Sequence, residues 1–207
     1  MYVPAHFAVD AAVEQDLLRN TGLTDLITAT PDGLVATQLP FLYDASIGEH
    51  GTLLGHVARS NEHWQHEILG EALVIVRGPD AYISPGWYAS KAEHGRVVPT
   101  WNYVTAHVYG RLVVHDDVVW LGDLVNRLTA QHEAGMARPW TVDEAPAAFI
   151  AGQLRAIVGV ELVISRVQAK AKLSQNRPTA DVDGVIAGLT ERGDVVNAEA
   201  VRAARIR

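Results

Sequence analysis

The chain has 207 residues, a formal net charge of −7 and no cysteine. This length fits one domain, which we expect to cover residues 1–207 with a helical C-terminal part from about residue 178. The lack of cysteine excludes disulfide scaffolds, iron–sulfur clusters, thiolate zinc sites and cysteine nucleophiles. The acidic balance disfavours direct binding to DNA. No apolar run is long enough to span a bilayer and no signal peptide is recognisable, so we expect a cytoplasmic protein.

The first part of the chain predicts one helix followed mainly by strands. Asp10 is a candidate N-cap for a helix that ends near residues 20–22. The next predicted elements are strands 23–30 and 34–44 joined by a turn at Pro31-Asp32-Gly33, a strand at 52–58, a helix at 61–69, and strands 72–77 and 81–84 around a turn at 78–80.

Residues 97–115 carry the longest strand pattern in the sequence. Apolar residues such as Val104, Ala106 and Val108 occupy one face, and Tyr103 and His107 belong to the other face. The strand segments before residue 116, with their hairpin-like connections, favour a closed antiparallel barrel over a parallel sheet.

The rest of the chain predicts helices on either side of one more strand. Leu121, Leu124 and Leu128 indicate an amphipathic helix at 117–133. The remaining predicted elements are a helix at 141–157 opened by a capping box of Thr141 and Glu144, a strand at 161–173, a helix that starts at Pro178, and a final helix capped by Asn197 that ends in Arg202, Arg205 and Arg207.

Common catalytic and metal-binding motifs are absent from the sequence. His56, His63 and His66 are close along the chain, but no HExxH pattern or acidic cluster accompanies them, so a metal site is disfavoured. The sequence also lacks a GxSxG elbow, a P-loop and a GxGxxG fingerprint. Hydrolase, phosphoryl-transfer and Rossmann functions therefore have no support.

Four segments combine polar groups with aromatic or rigid residues. In 55–61, Arg59 lies where a strand meets a predicted helix, so its guanidinium and the helix N-terminus could bind a phosphate. Segments 83–91 and 98–103 suit either a flat heteroaromatic ligand or an aromatic dimer interface. Segment 170–178 is either a second wall of that site or a solvated strand face followed by a helix cap.

Five motifs in this order resemble the PaiB family of FMN-binding negative transcriptional regulators: MYVPAHF, HVARSN, YISPGWY, VPTWNYVTAHVYG and KLSQNRP. The resemblance extends from residue 1 to about residue 189. One departure is visible, because Gly86 and Ala89 stand where the family pattern has Ser and Pro.

The resemblance implies a mainly β fold with α-helices, the FMN-binding split barrel. This fold is a six-stranded, antiparallel, Greek-key-like barrel with peripheral helices, shared with pyridoxamine-phosphate oxidases. The family usually forms a homodimer with FMN at the subunit interface. The resemblance implies three groups of cofactor-binding residues. The phosphate and ribityl end would be bound by His56, Val57, Ala58, Arg59, Asn61 and Lys91, and the flavin ring by Trp87, Tyr88, Thr100, Trp101 and Asn102. The C-terminal wall of the site would be formed by Lys172, Ser174 and Gln175.

Three functions remain open from the sequence. The resemblance implies a negative transcriptional regulator, although no helix-turn-helix pattern is present. An FMN-dependent oxidoreductase or flavin reductase that uses NAD(P)H is the alternative, since the flavin itself carries that chemistry. A haem-binding barrel with His6, His56 or His107 as the iron ligand ranks below both.

Overall fold

A computed structural model describes residues 1–205 of the chain. The described residues form six α-helices and seven strands, in the chain order α1 (Ala11–Arg19), β1 (Leu23–Thr30), β2 (Gly33–Pro40), β3 (Leu42–Asp44), β4 (Thr52–Ala58), β5 (Ala72–Ile83), α2 (Ser90–His94), β6 (Thr100–His115), α3 (Val118–Glu133), α4 (Ala147–Arg155), β7 (Ile157–Lys172), α5 (Thr179–Glu191) and α6 (Val195–Arg205). None of the helices in this range is long and apolar enough to cross a membrane.

The seven strands form one sheet in the order β2-β1-β5-β6-β7-β4-β3. The pairs β1–β2, β1–β5, β3–β4 and β4–β7 are antiparallel. The predicted mainly β fold with helices is confirmed, whereas the closed six-stranded barrel is wrong, because seven strands form a sheet with β2 and β3 at its ends. The extra strand arises where the predicted strand 34–44 divides at the fully buried Phe41, directly after Pro40.

The chain divides into two compact units, and β5, β6 and β7 each contribute residues to both. Unit 1 contains residues 1–17, 77–106 and the described part of 168–207. Unit 2 contains residues 18–76 and 107–167. The expected single domain stays a prediction, and each unit has its own buried cluster of apolar side chains.

The core of unit 1 packs the C-terminal helices against strand residues. Val185 and Leu189 of α5 are fully buried, together with Ile83 of β5 and Val201 of α6. The predicted helix that starts at Pro178 is therefore confirmed within one residue. The predicted cap Asn197 is wrong, because it lies inside α6, where its Nδ2 donates to the Asp80 carbonyl at 3.0 Å.

The core of unit 2 packs α3 against the sheet. Leu124 and Leu128 are buried beside Leu54, and Trp120 covers the cluster. Asp117 caps the helix, since its Oδ1 accepts hydrogen bonds from the backbone N–H groups of residues 119 and 120, both at 2.8 Å. The predicted helix at 117–133 is thus confirmed within one residue.

Two predicted elements near residue 70 are wrong. The helix at 61–69 is only a 3-10 turn at Glu62–Gln65, capped by the Asn61 side chain, because Leu69 donates its backbone N–H to the Ala29 carbonyl at 2.8 Å instead of to a helical partner. The turn at 78–80 is absent, since β5 continues through it. The continuous strand needs glycine at position 78, because a Cβ there would lie only 2.9 Å from the Val104 Cβ.

The predicted helix at 141–157 divides at a proline. The capping box of Thr141 and Glu144 is present, but it opens only a 3-10 turn that ends before Pro146. A proline cannot donate a backbone hydrogen bond, so a new helix, α4, begins after it. The following strand then starts at Ile157, four residues earlier than predicted.

Candidate functional site

Four predicted site residues meet in a small pocket of unit 1. Thr100 and Asn102 come from the start of β6, Lys172 is the last residue of β7, and Ser174 follows two residues later. They line a cavity of about 50 Å³ together with Asn176 and Arg177, which the sequence did not indicate as site residues. Asn176 and Arg177 belong to the KLSQNRP motif, and this motif is the signal that could have identified them. Strand alternation could not, because both residues follow the end of β7.

Strand geometry explains why these side chains converge. Residues 100 and 102 share one face of β6 because side chains alternate along a strand. After β7 the chain turns sharply at Ser174, whose φ is +69°, the one positive φ of a residue other than glycine within residues 1–205. The predicted site residue Gln175 holds this turn, since its Oε1 accepts from Leu173 N and its Nε2 donates to Ala171 O, both at 2.7 Å.

Hydrogen bonds fix the pocket walls. Asn102 and Ser174 are 1% and 4% exposed, and the Asn102 Nδ2 lies 3.0 Å from the Ser174 Oγ. Lys172 donates from Nζ to the Thr100 hydroxyl and to the Trp101 carbonyl. A buried polar group without partners is costly, and these contacts hold the polar atoms at the pocket surface.

The pocket is positively charged. Lys170, which is 7% exposed, donates to the Tyr103 hydroxyl at 2.8 Å, directly behind Lys172 on β7. Burial lowers the pKa of Lys172, and the charges of Lys170 and Arg177 lower it further. Within residues 1–205 no carboxylate forms an ion pair with any of these three cations. Asp181 of α5 offsets part of this charge, since the charge of Arg177 lowers the Asp181 pKa; the remaining positive charge favours a bound anion.

The aromatic residues of the predicted site differ in exposure. Trp101 is 54% exposed, and its ring meets Tyr82 edge-on at 6.2 Å between centroids. Tyr88 is 3% exposed within the core of unit 1, where the Arg177 guanidinium lies 4.6 Å from its ring centroid. Trp87 packs against α5. Trp101 thus offers an open face, whereas the expected flavin contacts of Trp87 and Tyr88 stay predictions.

Segment 56–61 lies in unit 2, and most of its hydrogen-bonding groups already have protein partners. Arg59 forms a two-pronged ion pair with Asp116 and also donates to the carbonyls of Arg155 and Ile157. His56 is half-buried, and burial lowers its pKa. Since the predicted helix after Arg59 is absent, no helix dipole supports a phosphate here. The other predicted residues of this segment form the end of β4 or its cap: Val57, Ala58 and Asn61.

The last predicted cation, Lys91, lies exposed on the short helix α2 of unit 1. The start of α2 is anchored by buried Asp181, which accepts from the Ser90 N–H at 2.9 Å and from the Ser90 hydroxyl at 2.7 Å. The phosphate contact expected of Lys91 stays a prediction.

A second, larger cavity of unit 1 shares Arg177 with the small pocket. It measures about 760 Å³ and lies between the N-terminal segment and the C-terminal helices. Apolar residues such as Val13, Val182 and Val201 line it beside Arg177. Its volume is in the range of small-molecule sites.

The backbone of Ser174 gives a first testable prediction. Glycine accepts a positive φ without strain, whereas alanine does not. We expect Ser174→Gly to be more stable than Ser174→Ala by about 1 kcal/mol, since both lose the hydroxyl and only alanine keeps the strain. Urea unfolding of the two variants measures this difference, and equal stabilities would contradict the left-handed turn.

Comparisons with known proteins agree with this description. A family model described as "Putative FMN-binding domain" matches residues 1–166. The protease synthase and sporulation protein PAI 2 of Bacillus subtilis is 31% identical over 190 residues, which cover 90% of this chain and 87% of the relative. An uncharacterized protein of Emericella nidulans is 31% identical over 230 residues, which cover 93% of this chain and 92% of the relative.

Solved structures share the fold at low sequence identity. A conserved hypothetical protein from Mycobacterium tuberculosis has a TM-score of 0.56 at 13% identity, covering 86% of this chain and 94% of that chain. The flavocytochrome Anf3 from Azotobacter vinelandii has a TM-score of 0.53 at 14% identity, covering 78% of this chain and 67% of that chain. The family model and the Bacillus relative cover most of the chain, so it belongs to the PaiB family of proteins with this FMN-binding domain.

Proposed function

We propose that this protein binds FMN and is a negative regulator of transcription of the PaiB type that acts as a homodimer. The observation that carries the flavin proposal is the polar, cationic pocket, together with the exposed Trp101, whose backbone carbonyl accepts a hydrogen bond from the pocket residue Lys172. Membership of the FMN-binding family supports it, and so does the fold shared with a protein described as a flavocytochrome.

The residues of unit 1 fit the two chemical parts of a flavin mononucleotide. An aromatic ring system stacks favourably on an open indole such as that of Trp101. The ribityl hydroxyls and the phosphate need hydrogen-bond donors and positive charge, which Thr100, Asn102, Ser174 and Lys172 supply. Bound FMN would supply hydride and electron transfer, while these side chains bind and orient it.

Removal of the Trp101 ring tests the flavin proposal. We expect Trp101→Ala to weaken FMN binding about tenfold, since an aromatic stacking contact contributes roughly 1 kcal/mol and ring burial adds to it. Quenching of flavin fluorescence measures the affinity. Trp140→Ala is the matched control, because Trp140 is 42% exposed in unit 2. Equal affinities of the Trp101 variant, the control and the unmodified protein would contradict the proposal.

Regulation through the ligand fits the charge of this chain better than strong DNA binding of its own. The net charge is −7, and the C-terminal arginines are paired, Arg202 with Glu199 and Arg205 with Asp183. Arg207, the third predicted cation of that group, lies outside the described residues. The Bacillus relative is named for protease synthesis and sporulation.

Two assays on the FMN-loaded protein separate the regulator from an oxidoreductase. The proposal predicts no NAD(P)H oxidation above the rate of free FMN, together with a change in reporter expression when the gene is deleted. Sustained NAD(P)H turnover with no change in expression would favour the FMN-dependent oxidoreductase instead.

The homodimer is supported by exposed apolar side chains in unit 1. Tyr82, Val98 and Trp101 are 41%, 65% and 54% exposed, respectively. Large aromatic residues on a surface are typical of protein interfaces. Analytical ultracentrifugation at micromolar concentration is expected to show a dimer, and a monomer at that concentration would contradict this part of the proposal.

A further inference from the structure

We propose that the cavity of about 760 Å³ in unit 1 binds an amphipathic monocarboxylate, a molecule with an apolar body and one carboxylate group. The cavity lies between the N-terminal segment, the sheet and the two C-terminal helices. The inference goes beyond the proposed function and does not depend on it, because this ligand is not a flavin and its binding can be measured without one.

The floor of the cavity is apolar. It consists of side chains that also belong to the core cluster of unit 1 or pack against it: Val104, Ala171, Leu173, Val182 and Val201. Val9 and Val13 add apolar surface from the N-terminal side. An apolar molecule that displaces water from such a floor gains free energy in proportion to the area covered. The floor therefore selects for the apolar body of a ligand.

Small side chains provide the space in this cavity. The helix α6 contributes Ala200, Ala203 and Ala204 to the lining, and the N-terminal segment contributes Ala5 and Ala8. The volume that they leave open is in the range of sites for drug-sized molecules. The cavity is therefore large enough for a whole organic molecule and not only for an ion or a few waters.

One cation of the lining, Arg177, is half-buried. Its guanidinium carbon lies 4.6 Å from the centroid of the Tyr88 ring, which supports the side chain from one side. Within residues 1–205 no carboxylate forms an ion pair with it. Asp181 offsets part of its charge, but the two oxygens of that carboxylate accept hydrogen bonds from Ser90. Since a guanidinium binds a carboxylate through charge-assisted hydrogen bonds, Arg177 favours a carboxylate as the polar group of the ligand.

The other charged residues of the lining are exposed and form its rim: His6, Asp10, Asp16 and Arg205. Asp10 caps α1, since its Oδ1 accepts from the Val13 N–H at 2.9 Å, and Arg205 is paired with Asp183. Water and salt screen exposed charges strongly, whereas partly buried charges are screened much less. The half-buried Arg177 therefore dominates the choice between an anionic and a cationic ligand.

The cavity is separate from the pocket that we assign to FMN. Its lining contains none of the residues to which we give a flavin contact: Thr100, Trp101, Asn102, Lys172 and Ser174. Gln175 lines the cavity, but both ends of its amide are bonded to the backbone. Arg177 lies on the wall that the two spaces share. The geometry thus provides room for a second ligand beside FMN.

The first test is isothermal titration calorimetry of the unmodified protein with decanoate, decylamine and butyrate, each below the concentration at which it aggregates. We expect decanoate to bind saturably, with one molecule per chain. Decylamine has the same chain with the opposite charge, and butyrate has the same charge with a short chain. Both should bind at least tenfold more weakly. Equal affinities for decanoate and decylamine would overturn the assignment of a carboxylate ligand.

The second test uses variants of the lining. Ala203→Trp introduces a large ring from an exposed position and should weaken decanoate binding at least tenfold, whereas Ala180→Trp is the matched control, exposed on α5 and outside the lining. Arg177→Gln should weaken decanoate binding at least tenfold and leave decylamine binding unchanged. Arg96→Gln, an exposed control in the same unit, should bind decanoate normally. Circular dichroism checks that each variant is folded, and Ala203→Trp keeps the test decisive if Arg177→Gln does not fold.

The outcomes distinguish this inference from the flavin proposal. Decanoate that binds at saturating FMN supports a separate site, whereas FMN that abolishes decanoate binding would make the cavity part of the flavin site and overturn the inference. Failure of FMN to bind would overturn only the flavin proposal. The inference is also overturned if decanoate does not saturate the unmodified protein, or if folded Ala203→Trp binds it normally. A change of oligomeric state in Ala203→Trp would show that a second copy of the chain covers the cavity and would overturn it as well.

Discussion

Replacement of Gly184 by alanine is expected to lower the free energy of unfolding by about 3 kcal/mol, a large effect for a single methyl group. Gly184 lies in α5, and a Cβ at this position would overlap the backbone carbonyl of Trp87. Backbone atoms cannot move aside by changing a rotamer, so α5 and the segment at residue 87 must separate. Urea unfolding monitored by circular dichroism measures the loss.

Gly152 supplies the matched control for this prediction. It also lies in a helix, α4, but a Cβ there would approach only the end of the Arg155 side chain, at 3.9 Å. Alanine favours the helix over glycine by up to about 1 kcal/mol, so Gly152→Ala should be neutral or stabilising. If the two alanine variants have the same stability, the close packing of α5 on Trp87 is wrong.

Replacement of Asp181 by asparagine is expected to cost about 3 kcal/mol, because each hydrogen bond to a buried carboxylate contributes roughly 1.5 to 3 kcal/mol. Asp181 is 1% exposed and accepts two hydrogen bonds from Ser90. Asp183→Asn is the control on the same helix. Its exposed ion pair with Arg205 should contribute less than about 1 kcal/mol.

The same carboxylate makes stability depend on pH. Burial alone would raise the pKa of Asp181, but the two hydrogen bonds from Ser90 and the nearby positive charges outweigh it and lower the pKa. Its stabilising contribution is therefore complete above the unfolded pKa of about 3.9 and is lost as the pH falls towards the folded value. Unfolding free energies measured between pH 3 and 6 should fall less steeply in Asp181→Asn than in the unmodified protein; equal slopes would contradict this assignment.

Periodicity in the sequence predicted the long elements well and the short ones poorly. The alternation in β6 and the stripe of α3 depend on many residues, so tertiary contacts do not override them. The predicted helix after Arg59 failed because Leu69 donates its backbone N–H to Ala29, a contact far along the chain that replaces a helical hydrogen bond. The predicted turn at Gly78 failed because this glycine lets β5 pack closely against Val104 of β6, and the chain does not reverse there.

The candidate site was only partly visible in the sequence. The ordered motifs drew attention to Thr100, Asn102, Lys172 and Ser174, which meet in one pocket. Nothing in the local sequence could show that the Arg59 guanidinium binds Asp116, which is 57 residues away in the chain. Residue types also gave no indication that Ser174 has a left-handed backbone, since that conformation is usually adopted by glycine.

The most direct test of the flavin proposal is a titration of the purified protein with FMN, followed by visible absorbance and by fluorescence quenching. The proposal predicts saturable binding with one FMN per chain and an altered flavin spectrum, because the ring stacks on Trp101 and leaves water. A titration that shows no saturable binding at FMN concentrations up to the millimolar range would contradict it.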